Sequence, residues 1–313
     1  VFDKALFITA YNKPECLYMG LDNIKNDLHG YKVIVLTQEG YDKEQDKVLE
    51  HYKNTIDIER RFIERNPKDN FIGMRTILSC YTLGAELVKD YIILLEEDII
   101  PTKDYIKFNE IVYNKFLKKY DRIFCGAHKR REETEIYGDP RIVIGDYQCT
   151  SPTVVTCDSL RKIFTQYVTE ELYQNTYGYY YKYFGNSRIH PGEHMHQDGF
   201  IERVMEKYKL FSLKPDLARS SHVGLNGATL KSKYISPEKL EDKLKDLNYF
   251  FNNHEYTKSL SSSPRDIVFA PDSHTPVYDL EIDHERNRAV ASSWWYDYNN
   301  EFSKYVNASN NSI

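Results

Sequence analysis

Three nearly unbroken apolar runs constrain this chain most: Ala5-Leu6-Phe7-Ile8-Thr9, Lys32-Val33-Ile34-Val35-Leu36 and Tyr91-Ile92-Ile93-Leu94-Leu95. Each has the length of a strand, and none alternates polar with apolar, so each must be buried on both faces. Between them the spacing turns helical. Cys16, Leu17, Leu21 and Ile24 share one face, as do Met74, Ile77, Leu78, Tyr81, Ala85 and Val88. A weaker strand is expected from Thr55 to Ile58. Strands and helices in alternation predict an α/β fold, a mainly parallel sheet with helices on both sides. Such sheets bind ligands beyond the carboxyl ends of their strands. That rule selects three loops: Ala10 to Pro14, Thr37 to Gly40, and Glu96 to Ile99.

Beyond residue 100 the pattern loosens. A helix is expected from about Asp104 to Lys119, with Tyr105, Phe108, Val112 and Phe116 on one face. Ile142 to Thr156 reads as irregular strand, and Tyr177-Gly178-Tyr179-Tyr180-Tyr181 as an aromatic loop. Ser236-Pro237-Glu238 has the hydroxyl, proline and acid of a helix start, continued by Leu240, Leu244, Leu247 and Phe251. Ser259 to Pro264 reads as a linker before the cluster Trp294-Trp295-Tyr296, and no internal repeat is visible. A length of 313 residues suits one large α/β domain, or such a domain with a smaller appendage. We divide it into a main domain, 1–232, and a small C-terminal helical and β extension, 233–313, packed on it.

The formal charge of -5, from 42 basic and 47 acidic residues, argues against a dedicated polyanion binder. A local basic run, Lys129-Arg130-Arg131, has the chemistry to touch phosphates, though such runs more often form solvated loops. The 27 tyrosines offer faces suited to sugar rings, but they also accompany a Lys-, Asn- and Ile-rich composition. Five cysteines form no CxxC pair and cannot all pair within one chain, which favours a reducing compartment. No run approaches the length of a membrane span, and the N-terminus has no signal-peptide pattern, so a cytoplasmic location is expected. The chain begins at Val1 rather than at a methionine.

The chemistry concentrates in Glu96-Glu97-Asp98, directly after a buried strand. Three carboxylates at the rim of a sheet cost free energy unless a cation or hydrogen-bond donors compensate them. A hard divalent ion, Mn²⁺ or Mg²⁺, takes one or two carboxylates together with substrate phosphates, so Asp98 is a candidate metal ligand. The other reading of the triplet is a solvated acidic loop opening the helix near Asp104.

Glu96-Glu97-Asp98-Ile99-Ile100-Pro101 resembles the Glu-Asp-Asp turn of the N-acetylglucosaminyltransferase I family. Other stretches resemble it in the same order. Ala10-Tyr11-Asn12-Lys13 is similar to the family's first nucleotide loop, whose basic residue meets the donor phosphates. Gln38-Glu39 is similar to its Gln-Asp pair, whose acid recognises uracil, and Arg75 falls in the helix that carries a donor-side lysine. Leu213-Lys214-Pro215-Asp216-Leu217-Ala218-Arg219 resembles an Arg-Pro-Glu-Ile-Ser-Arg stretch, followed by Gly224 and Gly227. The likeness runs over roughly residues 5 to 230 as short ordered motifs. It departs from the family at Lys13 (for Arg) and at Glu39 and Glu97 (for Asp), and this chain shows no membrane anchor. The resemblance implies a GT-A glycosyltransferase fold with a Rossmann-like mixed sheet, and transfer with inversion. It implies donor contacts at Ala10, Asn12, Lys13, Glu39, Arg75, Glu96, Glu97 and Arg219.

Asp198, in His196-Gln197-Asp198-Gly199-Phe200, resembles the family's catalytic aspartate, although the family's flanking tryptophans are missing. Glu193 and Glu202 are the fallbacks. Asp198 would equally serve as an N-cap for a helix over Ile201 to Tyr208. His190, His194 and His196 lie close together without a helical zinc pattern, which suits a polar loop around an acceptor better than a metal. His222 resembles the late histidine with which many GT-A enzymes close on the metal or diphosphate; the other reading is a surface-loop histidine. Arg219 and Lys231 are candidate phosphate contacts in a loop, Ser220 to Lys231, able to close over the donor and exclude water.

The function expected is therefore metal-dependent sugar transfer from a UDP-sugar to a hydroxyl. The acceptor is left open: a glycan, a lipid-linked sugar, a hydroxylated side chain or a hydroxymethylated nucleobase. The alternatives are a sugar-phosphate nucleotidyltransferase, which usually has glycines in its first loop, where Ala10 to Pro14 has none, and a non-catalytic carbohydrate-binding protein.

Overall fold

The computed structural model describes residues 1–71, 73–101, 105–118, 123–126, 142–145, 153–185, 187, 195–208, 210–215, 220–222 and 267–268. The first half alternates as the apolar pattern demands. Strand β1 (Phe2–Thr9) leads to helix α1 (Pro14–Ile24), then β2 (Lys32–Gln38), α2 (Glu44–Tyr52), β3 (Ile58–Ile63), α3 (Met74–Leu87) and β4 (Val88–Glu96). Pro14 begins α1, where its missing N–H costs nothing and its fixed φ is already helical.

Alternate residues of each apolar strand enter two separate cores. Leu6, Ile8, Val33, Val35, Ile93 and Leu95 pack with Leu17, Leu21 and Ile24 of α1 on one face. Ala5, Phe7, Ile34, Leu36, Ile92 and Leu94 pack with Met74, Leu78 and Tyr81 of α3 on the other. Each aliphatic side chain so buried contributes about 1.5–3 kcal/mol, which fixes the register of the sheet.

The second half comprises β5 (Ile99–Pro101), α4 (Tyr105–Val112), β6 (Ile123–Gly126), β7 (Ile142–Gly145), β8 (Thr153–Thr156) and α5 (Cys157–Ser159). It continues with α6 (Glu170–Gln174), α7 (Thr176–Phe184), α8 (Gln197–Tyr208), β9 (Phe211–Pro215), β10 (Ser220–His222) and β11 (Ile267–Val268). The large sheet has the order β11-β7-β9-β6-β8-β4-β1-β2-β3. β1 runs parallel to both β2 and β4, and β2 to β3. β8 is antiparallel to β4 and β6, while β6 and β9 are parallel again. This is the mixed, mainly parallel, helix-flanked sheet that the sequence predicts. No helix among the described residues is long and apolar enough to cross a membrane.

Several local expectations are corrected. Tyr177 to Tyr181 is helix, within α7, not loop: Asn175 caps its first turn by accepting from Gly178 N, and Tyr179 and Tyr180 are buried. The weak third strand lies at Ile58–Ile63, not Thr55 to Ile58, and its charged residues are tolerated because β3 is an edge strand with no fully buried residue. The helix after residue 104 ends at Val112 and passes into a π-helical turn, Tyr113–Leu117. Asp198 is not the cap of α8, because the helix already begins at Gln197 and Phe200 N donates to His196 O at 3.2 Å.

Of residues 233–313, Ile267–Val268 are described, pairing parallel with β7. The helix expected from Ser236, the linker at Ser259 to Pro264, Trp294-Trp295-Tyr296 and Lys129-Arg130-Arg131 lie outside the described residues. So do His190, Glu193, His194, Arg219, Gly224, Gly227 and Lys231. Cys16, Cys80 and Cys157 are buried, and burial pushes the Cys157 thiol up to about 12.

Candidate functional site

In the order β4-β1-β2-β3, β1 is followed in space by β2 on one side and β4 on the other. The connections leave the carboxyl ends of β1 and β4 in opposite directions, and a crevice opens there. Thr9, Ala10, Tyr11, Asn12 and Lys13 line it from β1, with Gln38 from the end of β2. Glu96, Glu97 and Asp98 line it from β4, Gly73, Thr76 and Ile77 from the start of α3, and Gln197 from the start of α8.

Backbone bonds fix the loop ends: Ala10 N donates to Leu36 O at 2.9 Å, Glu97 N to Thr9 O at 2.9 Å, and Asp42 N to Tyr11 O at 2.7 Å. Glu97 adds a second tie. Its carboxylate accepts from Asn12 N at 2.9 Å and Lys13 N at 3.1 Å, and from Gln45 Nε2 at 2.6 Å. The residue is 8% exposed. Burial raises its pKa, opposed by the backbone N–H groups of Asn12, Tyr11 and Lys13 and by the charge of Lys13. Glu97 thus shapes the first loop from behind.

With its backbone pinned in this way, Lys13 sends its side chain to the next carboxylate. Lys13 Nζ lies 2.5 Å from Asp98 Oδ2, and the two side chains are 9% and 14% exposed. A short ion pair in a largely dry cleft wall is held far more strongly than one in water. Among the described residues no three His, Cys, Asp or Glu side chains converge as a metal would need. Asp98 nevertheless faces a cation, the ammonium of Lys13, so its carboxylate is oriented for positive charge. β10 pairs antiparallel with β5, and the register sets His222 opposite Ile99, the residue after Asp98. A divalent ion at this carboxylate would need further ligands of the kind that phosphate oxygens supply.

The remaining expected site residues divide. Ala10, Asn12, Lys13, Glu96, Glu97 and Asp98 come together in the crevice. Glu39 is exposed at the end of β2, beyond the lining. Arg75 is also outside the lining and is committed elsewhere. Its guanidinium donates to both oxygens of Asp69, each at 2.8 Å, and to both of Glu170, at 2.6 and 2.8 Å, and stacks 4.1 Å from the Tyr173 ring centroid. These bonds join α3 to α6 and hold the Arg75 pKa above its usual value.

Asp198 stands beside Gln197, which lines the crevice, in the first turn of α8. Burial pushes up the hydroxyl of Tyr180, opposed by the charge of Arg203 and aided by those of Asp198 and Glu202, and that hydroxyl donates to His196 O at 3.0 Å.

Sequence reasoning gave Thr76 and Gln197 no role. Gln38 Nε2 donates to Thr76 Oγ1, both residues being buried at the crevice. Gly73 takes φ 89°, and α3 begins there without a side-chain cap. The signal for Gly73 was in the sequence, a glycine immediately before a helical apolar repeat. Gln197 had none, since its place depends on the packing of α8 against the first half.

Compared with known proteins, the chain matches no protein-family model and no curated protein. Among solved structures it is similar to S. aureus TarS, with 10% identity, a TM-score of 0.37, and coverage of 51% of this chain and 29% of that one. It is similar to the mannosyltransferase PcManGT from Pyrobaculum calidifontis in complex with GDP-Man and Mn²⁺, with 13% identity, TM-score 0.29, and coverage of 41% and 35%. It is also similar to 4-diphosphocytidyl-2C-methyl-D-erythritol synthase from Anaerococcus prevotii, with 9% identity, TM-score 0.40, and coverage of 79% and 96%. The chain thus spans 29% and 35% of the first two proteins. At these identities and scores, none of the likenesses assigns a family or an activity to this chain.

Proposed function

We propose that this chain is a GT-A glycosyltransferase that moves a sugar from a UDP-sugar to an acceptor hydroxyl with inversion. The observation that carries the reading is the Lys13–Asp98 pair at the switch point between β1 and β4. A lysine from the first loop and a carboxylate from the turn after β4 are the two charges needed to hold a metal-bound diphosphate. The uncapped start of α3, with Gly73 and Thr76, adds a positive dipole end on the same crevice.

In this reading Lys13 holds the donor phosphates, Ala10 and Asn12 line the donor from the first loop, Glu96 faces it from the end of β4, and Glu97 acts from behind by fixing that loop. Glu39 meets the uracil from the end of β2, and Arg219 closes on the diphosphate. Arg75, given its two carboxylate partners, acts at a distance by anchoring α3. A divalent ion, Mn²⁺ or Mg²⁺, held by Asp98 with His222, would supply Lewis-acid neutralisation of the departing diphosphate. Asp198 takes the proton from the acceptor hydroxyl as its oxygen attacks the anomeric carbon and the bond to the diphosphate breaks. Its place beside Gln197 supports this role. The acceptor is a glycan or another hydroxyl-bearing molecule, a hydroxymethylated nucleobase among them. Residues 1–232 form the catalytic domain and 233–313 an extension upon it.

The test is incubation with Mn²⁺ and a panel of UDP-sugars, following UDP release with and without candidate acceptors. UDP release supports the reading. Pyrophosphate release, when a sugar phosphate and a nucleoside triphosphate are supplied, would replace it with nucleotidyl transfer. Binding of a glycan without turnover of any nucleotide would replace it with a carbohydrate-binding protein.

A further inference from the structure

Resting on the proposed donor site, a conflict appears between its two charged residues. Lys13 is expected to hold phosphate and Asp98 to hold a cation, yet here each is the other's partner, 2.5 Å apart. An ammonium and a dication at one largely buried carboxylate repel each other, and the low exposure of the pair limits screening by solvent. We infer that Lys13 is a built-in counter-ion of Asp98, exchanged for a divalent cation when the diphosphate arrives.

The anchoring of the loop makes the exchange local. Glu97 holds Lys13 N at 3.1 Å and Asn12 N at 2.9 Å, so the backbone need not move. Only the four-carbon stem has to swing, and it projects into a crevice lined by Tyr11, Gln38 and Thr76. A phosphate oxygen in that crevice takes over the ammonium as the cation takes over the carboxylate. The number of charge pairs is preserved, and neither ion is left bare in a low-dielectric wall. The consequence is coupling: Lys13 competes with the cation when the crevice is empty and assists it when a diphosphate is bound. Metal and donor then raise each other's affinity by the same factor.

The test measures Mn²⁺ binding to the full chain from the electron paramagnetic resonance signal of free Mn²⁺, with and without UDP, in the wild type and in Lys13→Met. UDP binding without metal is measured separately by calorimetry. UDP should tighten Mn²⁺ binding to the wild type about tenfold or more. Lys13→Met should bind Mn²⁺ alone several-fold more tightly than the wild type and lose most of the UDP effect.

A second measurement needs no variant. Reductive methylation of the wild type, followed by mass spectrometry, should show Lys13 protected in the empty protein, more reactive with Mn²⁺ alone, and protected again with Mn²⁺ and UDP. Unchanged or weaker Mn²⁺ binding in Lys13→Met, or Lys13 reactivity indifferent to Mn²⁺, overturns the exchange. If UDP still binds in either case, the donor site stands. Absence of UDP binding altogether overturns both.

Discussion

Gln45 Nε2 donates to Glu97 Oε2 at 2.6 Å, so a side chain from α2 completes the hydrogen bonding of a carboxylate that shapes a loop after β1. Three elements distant in sequence meet at this one buried group. Removing it by Glu97→Ala strands the N–H groups of Asn12 and Lys13 and the amide of Gln45. The expected cost is about 2–4 kcal/mol, from lost hydrogen bonds and the buried donors left unpaired.

The pH dependence of that cost has a definite sign. The folded pKa of Glu97 is raised above the ordinary 4.5, mainly by burial. The native state therefore holds the proton more tightly than the unfolded chain. The linked stability is full below the unfolded value and is lost as pH rises through the folded one. Urea unfolding of wild type and Glu97→Ala should show the wild-type advantage shrinking from acid towards neutral pH. A gap that widens over that range would mean the carboxylate is stabilised as the anion.

Arg75 gives the opposite pattern. Arg75→Ala removes two bidentate pairs and a cation–π contact. Glu170 is 63% exposed on its side chain, so its share is discounted, and the expected loss is about 1–2 kcal/mol. Arg75 holds the Glu170 pKa below 4.5, so this contribution is present above the unfolded value and lost as pH falls through the folded one. The wild-type advantage should thus fade on acidification. UDP affinity of folded Arg75→Ala should stay within about twofold of wild type, a change worth about 0.4 kcal/mol. A far larger loss, measured by calorimetry, would return Arg75 to direct donor contact.

Gly84 lies where α3 crosses the sheet. A Cβ there would sit 2.9 Å from both Cδ1 and Cγ2 of Ile92, and 3.4 Å from Leu160 Cδ1. Gly84→Ala gains about 1 kcal/mol of helix propensity, but overpacking a tight core costs about 1–3 kcal/mol. The expected net change is destabilising by about 1 kcal/mol, read as a lower urea midpoint, and Ile92→Val in the same chain should recover part of it by removing Cδ1. A stabilised Gly84→Ala would mean that α3 moves off the sheet at little cost.

The parallel half of the sheet was legible because strands buried on both faces must be apolar at every position, as Leu6-Phe7-Ile8 and Ile92-Ile93-Leu94 are. β3 was displaced in the reading because an edge strand escapes that demand, so Glu59, Arg60 and Arg61 hid it. α7 was missed because its aromatic and glycine composition reads as loop, whereas Tyr179 and Tyr180 form helix through burial against α8 and its neighbours. The crevice was legible from the strand-end rule, which selected Ala10 to Pro14, Thr37 to Gly40 and Glu96 to Ile99, and the lining takes Ala10 to Lys13, Gln38 and Glu96 to Asp98 from these loops. The pairing inside it was not. Nothing in a one-dimensional pattern says that Glu97 turns back to the loop while Asp98 takes the lysine, because alternation at a turn depends on the exit angle of β4.

Asp198 follows Gln197 into α8, whose Gly199, Phe200 and Ile201 are buried, so the start of the helix is fixed by its packing and not by the carboxylate itself. Substitution should therefore separate chemistry from structure. An acid in the first turn interacts favourably with the helix dipole, and Asp198→Asn forfeits about 0.5 kcal/mol of that. The amide keeps the shape but cannot accept the acceptor's proton. UDP binding should be unchanged, while transfer falls about a hundredfold or more, the range of a lost general base. Hydrolysis and transfer should fall together if one base serves water and acceptor alike. Transfer at the wild-type rate in a folded Asp198→Asn would remove Asp198 from the reaction, and Glu202, which is buried one turn further along the same helix, would be the next carboxylate to substitute.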